Sequence, residues 1–268
     1  MIEQLRSILR DAPDRDATRS LAREYIQVRI LEGMQRCGAM IPLAFHGGTA
    51  LRILYGTPRF SEDLDFALER PDLGPFDLQT CLDRIGHDLR REGYQVATDS
   101  DPDRTVRVGW VRFTGLLHQL GLSPLREEKL RVKIEIDTNP PAGARLETTR
   151  LTRFVPLHIQ HHDRASLLAG KVAAVLCRPW VKGRDLFDLY WYMGARDWPN
   201  PNQEMLANAL RQAGEEVGNG QQLDWIGRLR NRVASIDWAA VERDLAPFLR
   251  SEDASRSFSQ QDLLERLG

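Results

Sequence analysis

The order of apolar and polar residues divides positions 1–155 into short segments of two kinds. In one kind, apolar residues recur at every second position, which is typical of a strand with one buried face. In the other, they recur every three to four positions, which is typical of an amphipathic helix. These patterns predict helices over residues 16–38, 48–55 and 76–91, and strands over 43–46, 63–68, 94–98, 105–113 and 130–138.

After about residue 160 the apolar period changes from 2 to 3.6. The helices predicted there cover residues 165–177, 185–193, 203–217, 222–234, 237–249 and 258–267. The sequence therefore predicts a mixed α/β domain over residues 1–155, followed by a mostly helical domain over residues 156–268.

Two of the predicted strands carry acidic residues on one face. In the strand over 63–68, Asp63 and Asp65 share a face and the apolar residues share the other. The strand over 130–138 alternates in the same way, and its charged face consists of Arg131, Lys133, Glu135 and Asp137. If these two strands are neighbours in the sheet, three or four carboxylates meet on one surface.

Such a group of like charges needs a counter-charge. Two carboxylates about 4 Å apart repel by about 4 kcal/mol at an effective dielectric of about 20. A divalent cation removes this penalty, and Mg²⁺ prefers hard oxygen ligands, often together with substrate phosphates. Asp63, Asp65 and Glu135 are therefore predicted to bind Mg²⁺ or Mn²⁺ for phosphoryl or nucleotidyl transfer. The alternative is a solvated edge strand with ordinary surface acids.

Gly47, Gly48 and Thr49 precede the first acidic strand at the start of a predicted helix. Glycines allow the backbone to approach phosphate oxygens closely, and the amides of a helix N-terminus supply positive potential. Thr49 caps the helix, contacts a phosphate, or does both. This combination favours a nucleotide site over the edge-strand alternative.

Composition limits the possible settings and partners. The 268 residues are 42% hydrophobic and 28% charged, as in an ordinary globular protein, and the net charge of −1 excludes a global basic field for nucleic acid. The three cysteines are far apart and form no CxxC, which predicts neither a disulfide framework nor a zinc site and favours a reducing cytoplasm. No signal peptide or membrane span is predicted, so no membrane partner is expected.

The segment HGGTALRILYGTPRFSEDLDF resembles the signature of the nucleotidyltransferase fold, and the wider pattern resembles the AbiEii/AbiGii toxin family. That family carries G-G-T-A-L, R-x-S-x-D-x-D, a strand with K-x-E, a helix with a lone lysine, and K-x-R-D-x-x-D-L. The matching residues are Gly47, Gly48, Thr49, Ala50, Leu51, Arg59, Ser61, Asp63, Asp65, Lys133, Glu135, Lys171, Lys182, Arg184, Asp185, Asp188 and Leu189.

The resemblance implies a fold of the α/β (α+β) class, in which helices flank a mixed sheet and a helical C-terminal domain closes the active-site cleft. The catalytic residues that it implies are Asp63, Asp65, Glu135, Lys171 and Asp185. The nucleotide-binding residues that it implies are Gly47, Gly48, Thr49, Arg59, Ser61, Lys133 and Lys171.

The second half of this site leaves alternatives open. Lys171 lies in an otherwise apolar helix, so it snorkels to solvent, pairs with an acid, or contacts the triphosphate. Asp185 and Asp188 share a helix face, and they would otherwise cap the helix and pair with Lys182 or Arg184. Asp185 is preferred as the site residue because it lies at the helix start.

Three further choices concern the first half. Glu135 is preferred to Asp137 because Asp137 lies at the strand end beside the Pro-Pro turn. Arg59, in the loop before the acidic strand, either grips a phosphate or is a solvated loop residue. Lys133 either contacts the nucleotide or neutralises the carboxylates.

The resemblance also implies a partner and an acceptor. It implies a toxin that transfers a nucleotide from an NTP to the 3′ end of tRNA, in a toxin–antitoxin or abortive-infection (phage-defence) system with an AbiEi-type antitoxin. RNA binding would need a local basic patch. The candidates are Arg104, Arg107, Arg112, Arg150, Arg153, Arg178, Lys182 and Arg184.

Two other hypotheses remain at this point. One is an enzyme of the same fold that modifies a protein or a small molecule. The other is a non-catalytic nucleotide sensor, which is disfavoured because each predicted site position holds a chemically competent residue.

Overall fold

The computed structural model describes residues 2–74, 76–101, 104–217, 223–249 and 258–268. The helices are α1 (Ile2–Leu9), α2 (Arg15–Arg36), α3 (Gly47–Tyr55), α4 (Leu78–Arg91), α5 (Leu116–Gln119), α6 (Arg164–Cys177), α7 (Gly183–Gly194), α8 (Gln203–Gln212), α9 (Trp225–Ala234), α10 (Trp238–Leu245) and α11 (Gln260–Arg266). The strands are β1 (Leu43–His46), β2 (Leu64–Leu68), β3 (Gln95–Asp101), β4 (Val106–Thr114), β5 (Lys129–Asp137), β6 (Leu146–Arg153) and β7 (Val155–His162). Short 3₁₀ turns cover Pro71–Leu73 and Ala246–Phe248.

Within the described residues, seven strands form one mixed sheet in the order β3-β4-β5-β2-β1-β7-β6. Strand β2 runs parallel to β5, and β1 runs parallel to β7. The pairs β1/β2, β3/β4 and β4/β5 are antiparallel. Helices α2 and α4 pack against strands of this sheet, so the predicted fold class is confirmed. The two acidic strands are neighbours, which was the condition for their carboxylates to meet.

The chain divides into two compact units. The sheet unit comprises Met1–Leu54, Ser61–Asn139 and Thr148–His161, and the helical unit comprises Tyr55–Phe60, Pro140–Glu147 and His162–Gly268. Within the helical unit, α6 packs against α7, α8 and α9, and α7 packs against α10 and α11. The predicted domains over 1–155 and 156–268, with the second closing the cleft, stay predictions.

Strand β5 shows why the sheet buries one face. Its apolar residues Leu130, Val132, Ile134 and Ile136 are buried, and the charged residues between them face partly or fully outward. The same alternation places Leu64 and Phe66 of β2 in the core. Burying a side chain of this size stabilises the fold by roughly 1.5–3 kcal/mol, so a one-residue slip of either strand would be strongly disfavoured.

Some element boundaries differ from the predicted ones. Strands β6 and β7 were not predicted, because β6 is polar and largely exposed and β7 contains Pro156 and three histidines. The helix predicted over 203–217 ends at Gln212, since Gly214 adopts a positive φ of 84° just beyond it. The start of the helix predicted over 222–234 lies outside the described residues. In the described part of the chain, no helix combines the length and apolarity needed to cross a membrane.

Candidate active site

The acidic residues of β2 and β5 come together through backbone pairing. Asp65 is the direct register partner of Glu135 in the parallel β2/β5 ladder. Asp63 lies immediately before β2, and its neighbour Leu64 pairs with Ile134 on the buried side. We call Asp63, Asp65 and Glu135 the acidic face. Side chains alternate between the two faces of each strand, so the apolar residues of β2 and β5 point into the core. The acidic face therefore lies on the opposite side of these strands.

Lys133 lies among these carboxylates. Its Nζ is 3.3 Å from Oδ2 of Asp63 and 3.1 Å from Oε2 of Glu135. Partial burial would lower the pKa of Lys133, but the charges of Asp63 and Glu135 outweigh burial and raise that pKa. Lys133 thus neutralises part of the acidic face, as one of the predicted alternatives states. The side chains of Asp63 and Glu135 remain 34% and 30% exposed, so solvent and solutes can reach them.

The Gly-Gly-Thr segment, at the start of α3 directly after strand β1, shapes the acidic face. Gly47 follows His46, the register partner of Asp65, and it adopts a positive φ of 78°. A Cβ at Gly47 would collide with the Oδ2 atom of Asp65. Glycine is therefore required here by both the backbone conformation and the space that Asp65 occupies.

Thr49 holds the backbone of Asp63, a member of the acidic face, through a side-chain hydrogen bond. Its side chain is fully buried, and its hydroxyl donates a hydrogen bond to the backbone carbonyl of Asp63. Gly48 is buried as well. Thr49 does not cap α3, because that helix begins at Gly47. The predicted contacts of Gly47, Gly48 and Thr49 with a nucleotide stay predictions.

Two other predicted positions are less closely tied to the acidic face. Ser61 is half-buried, and its backbone carbonyl accepts a hydrogen bond of 3.2 Å from Nε2 of Gln27. The carboxylate of Asp137 accepts a 2.9 Å hydrogen bond from the backbone N–H of Asn139, so it helps to form the turn after β5. This contact is a reason to prefer Glu135 to Asp137 as a site residue.

The acidic face suits a hard divalent cation in its chemistry, since all three members supply carboxylate oxygens. Across the described residues, no group of three or more His, Cys, Asp or Glu side chains is arranged so that it could hold a metal ion. The Lys133 ammonium lies against two of the three carboxylates. A metal ion bound here would have to take over at least one of these contacts.

A second cluster of acids and cations lies in the helical unit. Nζ of Lys171 on α6 is 2.8 Å from Oδ1 of Asp185 and 2.8 Å from Oδ2 of Asp188, both on α7. Arg59 binds Asp188 in a bidentate manner, with Nε and Nη2 each 2.6 Å from a carboxylate oxygen. Arg178 pairs with Asp185. We call Arg59, Lys171, Asp185 and Asp188 the buried ion cluster, because all four side chains are largely shielded from solvent.

Charge compensation controls protonation in this cluster. Burial alone would raise the pKa of Asp185, but Lys171 and Arg178 outweigh it and lower that pKa to about 2. Burial would likewise lower the pKa of Lys171, but Asp185 and Asp188 raise it. Both groups are therefore held in their charged forms at neutral pH.

These contacts bear on the alternatives for Lys171, Arg59 and Asp185. Lys171 pairs with acids and does not snorkel, and Arg59 is buried against Asp188 and is not a solvated loop residue. The partners of Asp185 are Lys171 and Arg178. The catalytic and nucleotide-binding roles predicted for these residues stay predictions.

The Arg59–Asp188 pair was missed by sequence reasoning. The two residues are 129 positions apart, and no local pattern connects them. The only available signal was that both belong to the motif blocks in the AbiEii-like pattern.

Comparison with known protein families gives one match over most of the chain. The family model described as nucleotidyl transferase AbiEii toxin, type IV toxin–antitoxin system, matches residues 29–262, a range that contains the acidic face and the buried ion cluster. A search of curated proteins gave no significant match.

Three solved structures share the fold. MenT4, a nucleotidyltransferase toxin from Mycobacterium tuberculosis H37Rv, covers 100% of this chain and 88% of its own, with a TM-score of 0.59 and 16% identity. A protein described as a nucleotidyltransferase from Helicobacter pylori covers 93% of this chain and 91% of its own, with a TM-score of 0.52 and 19% identity. JHP933 from Helicobacter pylori covers 93% of this chain and 88% of its own, with a TM-score of 0.51 and 19% identity.

Proposed function

We propose that this chain, which belongs to the AbiEii family of nucleotidyltransferase toxins, transfers a nucleotide from an NTP to the 3′ hydroxyl of a tRNA. Family membership establishes the class of enzyme, a nucleotidyltransferase toxin of a type IV toxin–antitoxin system, and with it an NTP substrate and a cognate antitoxin. The tRNA acceptor and a requirement for Mg²⁺ or Mn²⁺ are our proposal. The observation that supports the chemistry is the register pairing of Asp65 with Glu135 beside Asp63.

In the proposed reaction the acceptor hydroxyl attacks the α-phosphorus of the NTP. A phosphorus–oxygen bond to the acceptor forms, the bond to pyrophosphate breaks, and pyrophosphate leaves with the electron pair. The proton of the hydroxyl passes to a carboxylate of the acidic face, which acts as general base. The partial exposure of Asp63 and Glu135 is compatible with direct access of both substrates.

Asp63, Asp65 and Glu135 are the residues that would hold the divalent metal. Bound there, the metal would neutralise charge on the triphosphate and activate the attacking hydroxyl. Lys133 now contacts two of these carboxylates, and it would pair instead with a phosphate of the NTP. Gly47 leaves the space in which the Asp65 carboxylate sits, so it positions that carboxylate.

Lys171 and Asp185 are proposed to contribute from the helical unit. For this role Lys171 would exchange one of its two aspartate contacts for a phosphate oxygen of the NTP. Arg59 has both sides of its guanidinium engaged, by Asp188 and by the carbonyl of Phe60. That geometry supports a structural role for Arg59.

Label transfer tests the proposal. The purified chain is incubated with each of the four α-³²P-labelled NTPs, total RNA, and Mg²⁺, Mn²⁺ or EDTA. We expect label in a tRNA-sized band with at least one NTP, dependence on the divalent ion, and loss of the signal when the tRNA 3′ end has been oxidised with periodate. The Asp65→Asn variant should lose transfer by about 10³-fold or more, because its amide is a poor metal ligand and base.

Two outcomes would overturn the proposal. Label that enters only protein would make the acceptor a protein, and undiminished transfer by Asp65→Asn would place the chemistry elsewhere.

The Asp63→Asn and Lys171→Met variants extend the test. We expect Asp63→Asn to lose turnover, and Lys171→Met to raise the KM for the NTP more than the KM for RNA.

An AbiEi-like protein encoded nearby is the proposed antitoxin, and the cytoplasm, where NTPs and tRNA are present, is the proposed location. Expression of the chain alone should arrest growth, and co-expression of the neighbouring gene should restore it. Growth arrest that the Asp65→Asn variant still causes would separate toxicity from nucleotide transfer.

A further inference from the structure

The segment that connects α6 to α7, residues 178–182, exposes a tryptophan. We call it the Trp180 loop. Trp180 is 69% exposed, more than any other large apolar side chain in the part of the chain that the structure describes. Its indole contacts no aromatic ring and no cation among the described residues, whereas Trp191 and Trp198 pack against other rings. An exposed indole of this kind offers its flat face to a ligand.

The backbone of the Trp180 loop is held in place at both ends. Nη2 of Arg232 donates hydrogen bonds to the carbonyls of Arg178, at 2.8 Å, and of Pro179, at 3.4 Å. At the other end, Gly183 packs so closely on α10 that a Cβ there would collide with the carbonyl of Val241. Because these anchors restrain the loop, ordering Trp180 against a ligand costs less conformational entropy than on a free loop.

The charges around Trp180 are positive. Residues 178–184 contain Arg178, Lys182 and Arg184 and no acid. Arg178 is partly neutralised by Asp185, and Arg184 lies over the ring of Phe248, with Cζ 4.2 Å from its centroid. Lys182 has no carboxylate partner among the described residues and precedes α7. The Trp180 loop therefore presents an aromatic face beside an uncompensated ammonium.

Several other candidate basic residues are already paired with acids. Arg104 pairs with Asp101, and Arg112 pairs with Asp99. Arg153 pairs with Glu24, which is itself buried. Paired arginines gain less from a phosphate, because they must first give up a carboxylate. The Trp180 loop differs from these three positions because it combines a lysine without a carboxylate partner among the described residues with an exposed aromatic ring.

We propose that the Trp180 loop binds single-stranded RNA, with Trp180 stacked on a base and Lys182 in contact with a neighbouring phosphate. Stacking on an aromatic face beside a cation is a common mode of single-strand recognition, and it requires no particular base. The inference rests on the proposed function, because it assigns part of the contact with the RNA acceptor. It goes beyond that function in naming a binding element and its preference for unpaired bases.

Fluorescence anisotropy tests the proposal without catalysis. The wild-type chain is titrated, in the absence of NTP, into a fluorescein-labelled single-stranded 12-mer RNA and into the same sequence as a duplex. We expect tighter binding of the single strand. Trp180→Ala should weaken that binding by about tenfold or more, and Trp180→Phe should retain most of it, because base stacking depends on an aromatic face. Lys182→Gln should lower the salt dependence by about 0.7 in log–log slope.

The matched control is Leu125→Ala, which removes another highly exposed apolar side chain, 64% exposed, from the sheet unit. It should leave RNA binding unchanged. Equal binding by Trp180→Ala and the wild-type chain, or no binding of single-stranded RNA by the wild-type chain, would overturn the proposal. So would a Trp180→Ala variant that binds RNA normally and loses only the antitoxin. If single-strand binding depends on Trp180 but no nucleotide is transferred to RNA, the binding inference stands and the proposed acceptor fails.

Discussion

The acidic face and the buried ion cluster are built from the same residue types, yet they differ in burial and in charge balance. On the acidic face Lys133 contacts the carboxylates of Asp63 and Glu135, which are 34% and 30% exposed. In the buried ion cluster the side chains of Asp185 and Asp188 are 7% and 0% exposed, and cations contact both of them. Carboxylates within reach of solvent can bind a new cation, whereas buried and compensated carboxylates already hold their partners, so that the loss of one partner costs stability.

This difference predicts separate responses to mutation. Removing one member of a buried, compensated group leaves another charge unpaired in the protein interior, where charges are poorly solvated, and this costs stability. Removing a carboxylate from the acidic face relieves repulsion and leaves the core untouched. Activity should therefore depend most on the acidic face, and stability most on the buried ion cluster.

The largest expected effect is on turnover. Glu135→Gln should reduce nucleotide transfer by about 10³-fold, equivalent to about 4 kcal/mol of barrier, because the amide neither holds a cation well nor accepts a proton. Its free energy of unfolding in urea should stay within about 1 kcal/mol of wild type. Asp137→Asn, on the same strand, is the matched control and should keep nearly full activity. The reverse ranking of the two variants would contradict the assignment.

The next effect is on folding. Arg59→Met should lower the free energy of unfolding by about 3 kcal/mol, since Asp188 would lose its bidentate partner and keep the contact with Lys171. Urea unfolding monitored by circular dichroism measures this change. Arg6→Met, which removes the exposed contacts with the Glu3 carboxylate and the Gln119 carbonyl, should alter stability by no more than about 1 kcal/mol. A stable Arg59→Met variant with a raised KM for the NTP would show instead that Arg59 binds nucleotide.

A smaller effect on the free energy of unfolding is expected at acidic pH. The pKa of Asp185 lies near 2 in the folded chain, below its ordinary value of 3.8. A group with a depressed folded pKa stabilises the fold above its ordinary pKa, and that contribution is lost as the pH falls through the folded pKa. We expect about 2 kcal/mol of stability to disappear between pH 4 and pH 2 on this account. In Asp185→Asn, the slope of unfolding free energy against pH in this window should be shallower; an unchanged slope would mean that Asp185 is not the group responsible for the acid sensitivity.

The smallest effect concerns the support of the acidic face. Thr49→Val keeps the buried shape and removes the hydroxyl that donates to the carbonyl of Asp63, so stability should fall by about 1 kcal/mol. Thr49→Ser, which keeps the donor, should lose less transfer activity than Thr49→Val. If the two variants were equally active, the position of Asp63 would not depend on this hydrogen bond.

The sequence predicted most of the acidic face, because its geometry follows from local rules. The period-2 pattern of β5 and the D-x-D that spans the start of β2 predict which residues share a face, and the structure confirms this for Lys133 and Glu135. The adjacency of β2 and β5 was less accessible, since residues distant in the chain pair there. Residue patterns alone predict that the acids meet if the two strands are neighbours. They do not predict that the strands are neighbours.

The buried ion cluster was harder to predict. Helical spacing placed Asp185 and Asp188 on one face but left open what they contact. Their main partners are Lys171, one helix earlier, and Arg59, from the loop before the acidic strand. Ion pairs over such separations leave no periodic signal. Strands β6 and β7 were missed for a different reason, since a polar edge strand and a strand with proline lack the usual apolar alternation.

The parallel ladder between β2 and β5 has a consequence for protein synthesis. A nascent chain released before β5 already contains both aspartates, yet it lacks Glu135, Lys133 and the strand against which β2 is aligned. With the chemistry proposed for this surface, prematurely terminated translation products would be harmless to the host. A chain able to poison the cell must extend past Glu135 and, for the contribution proposed for Lys171 and Asp185, past the start of α7.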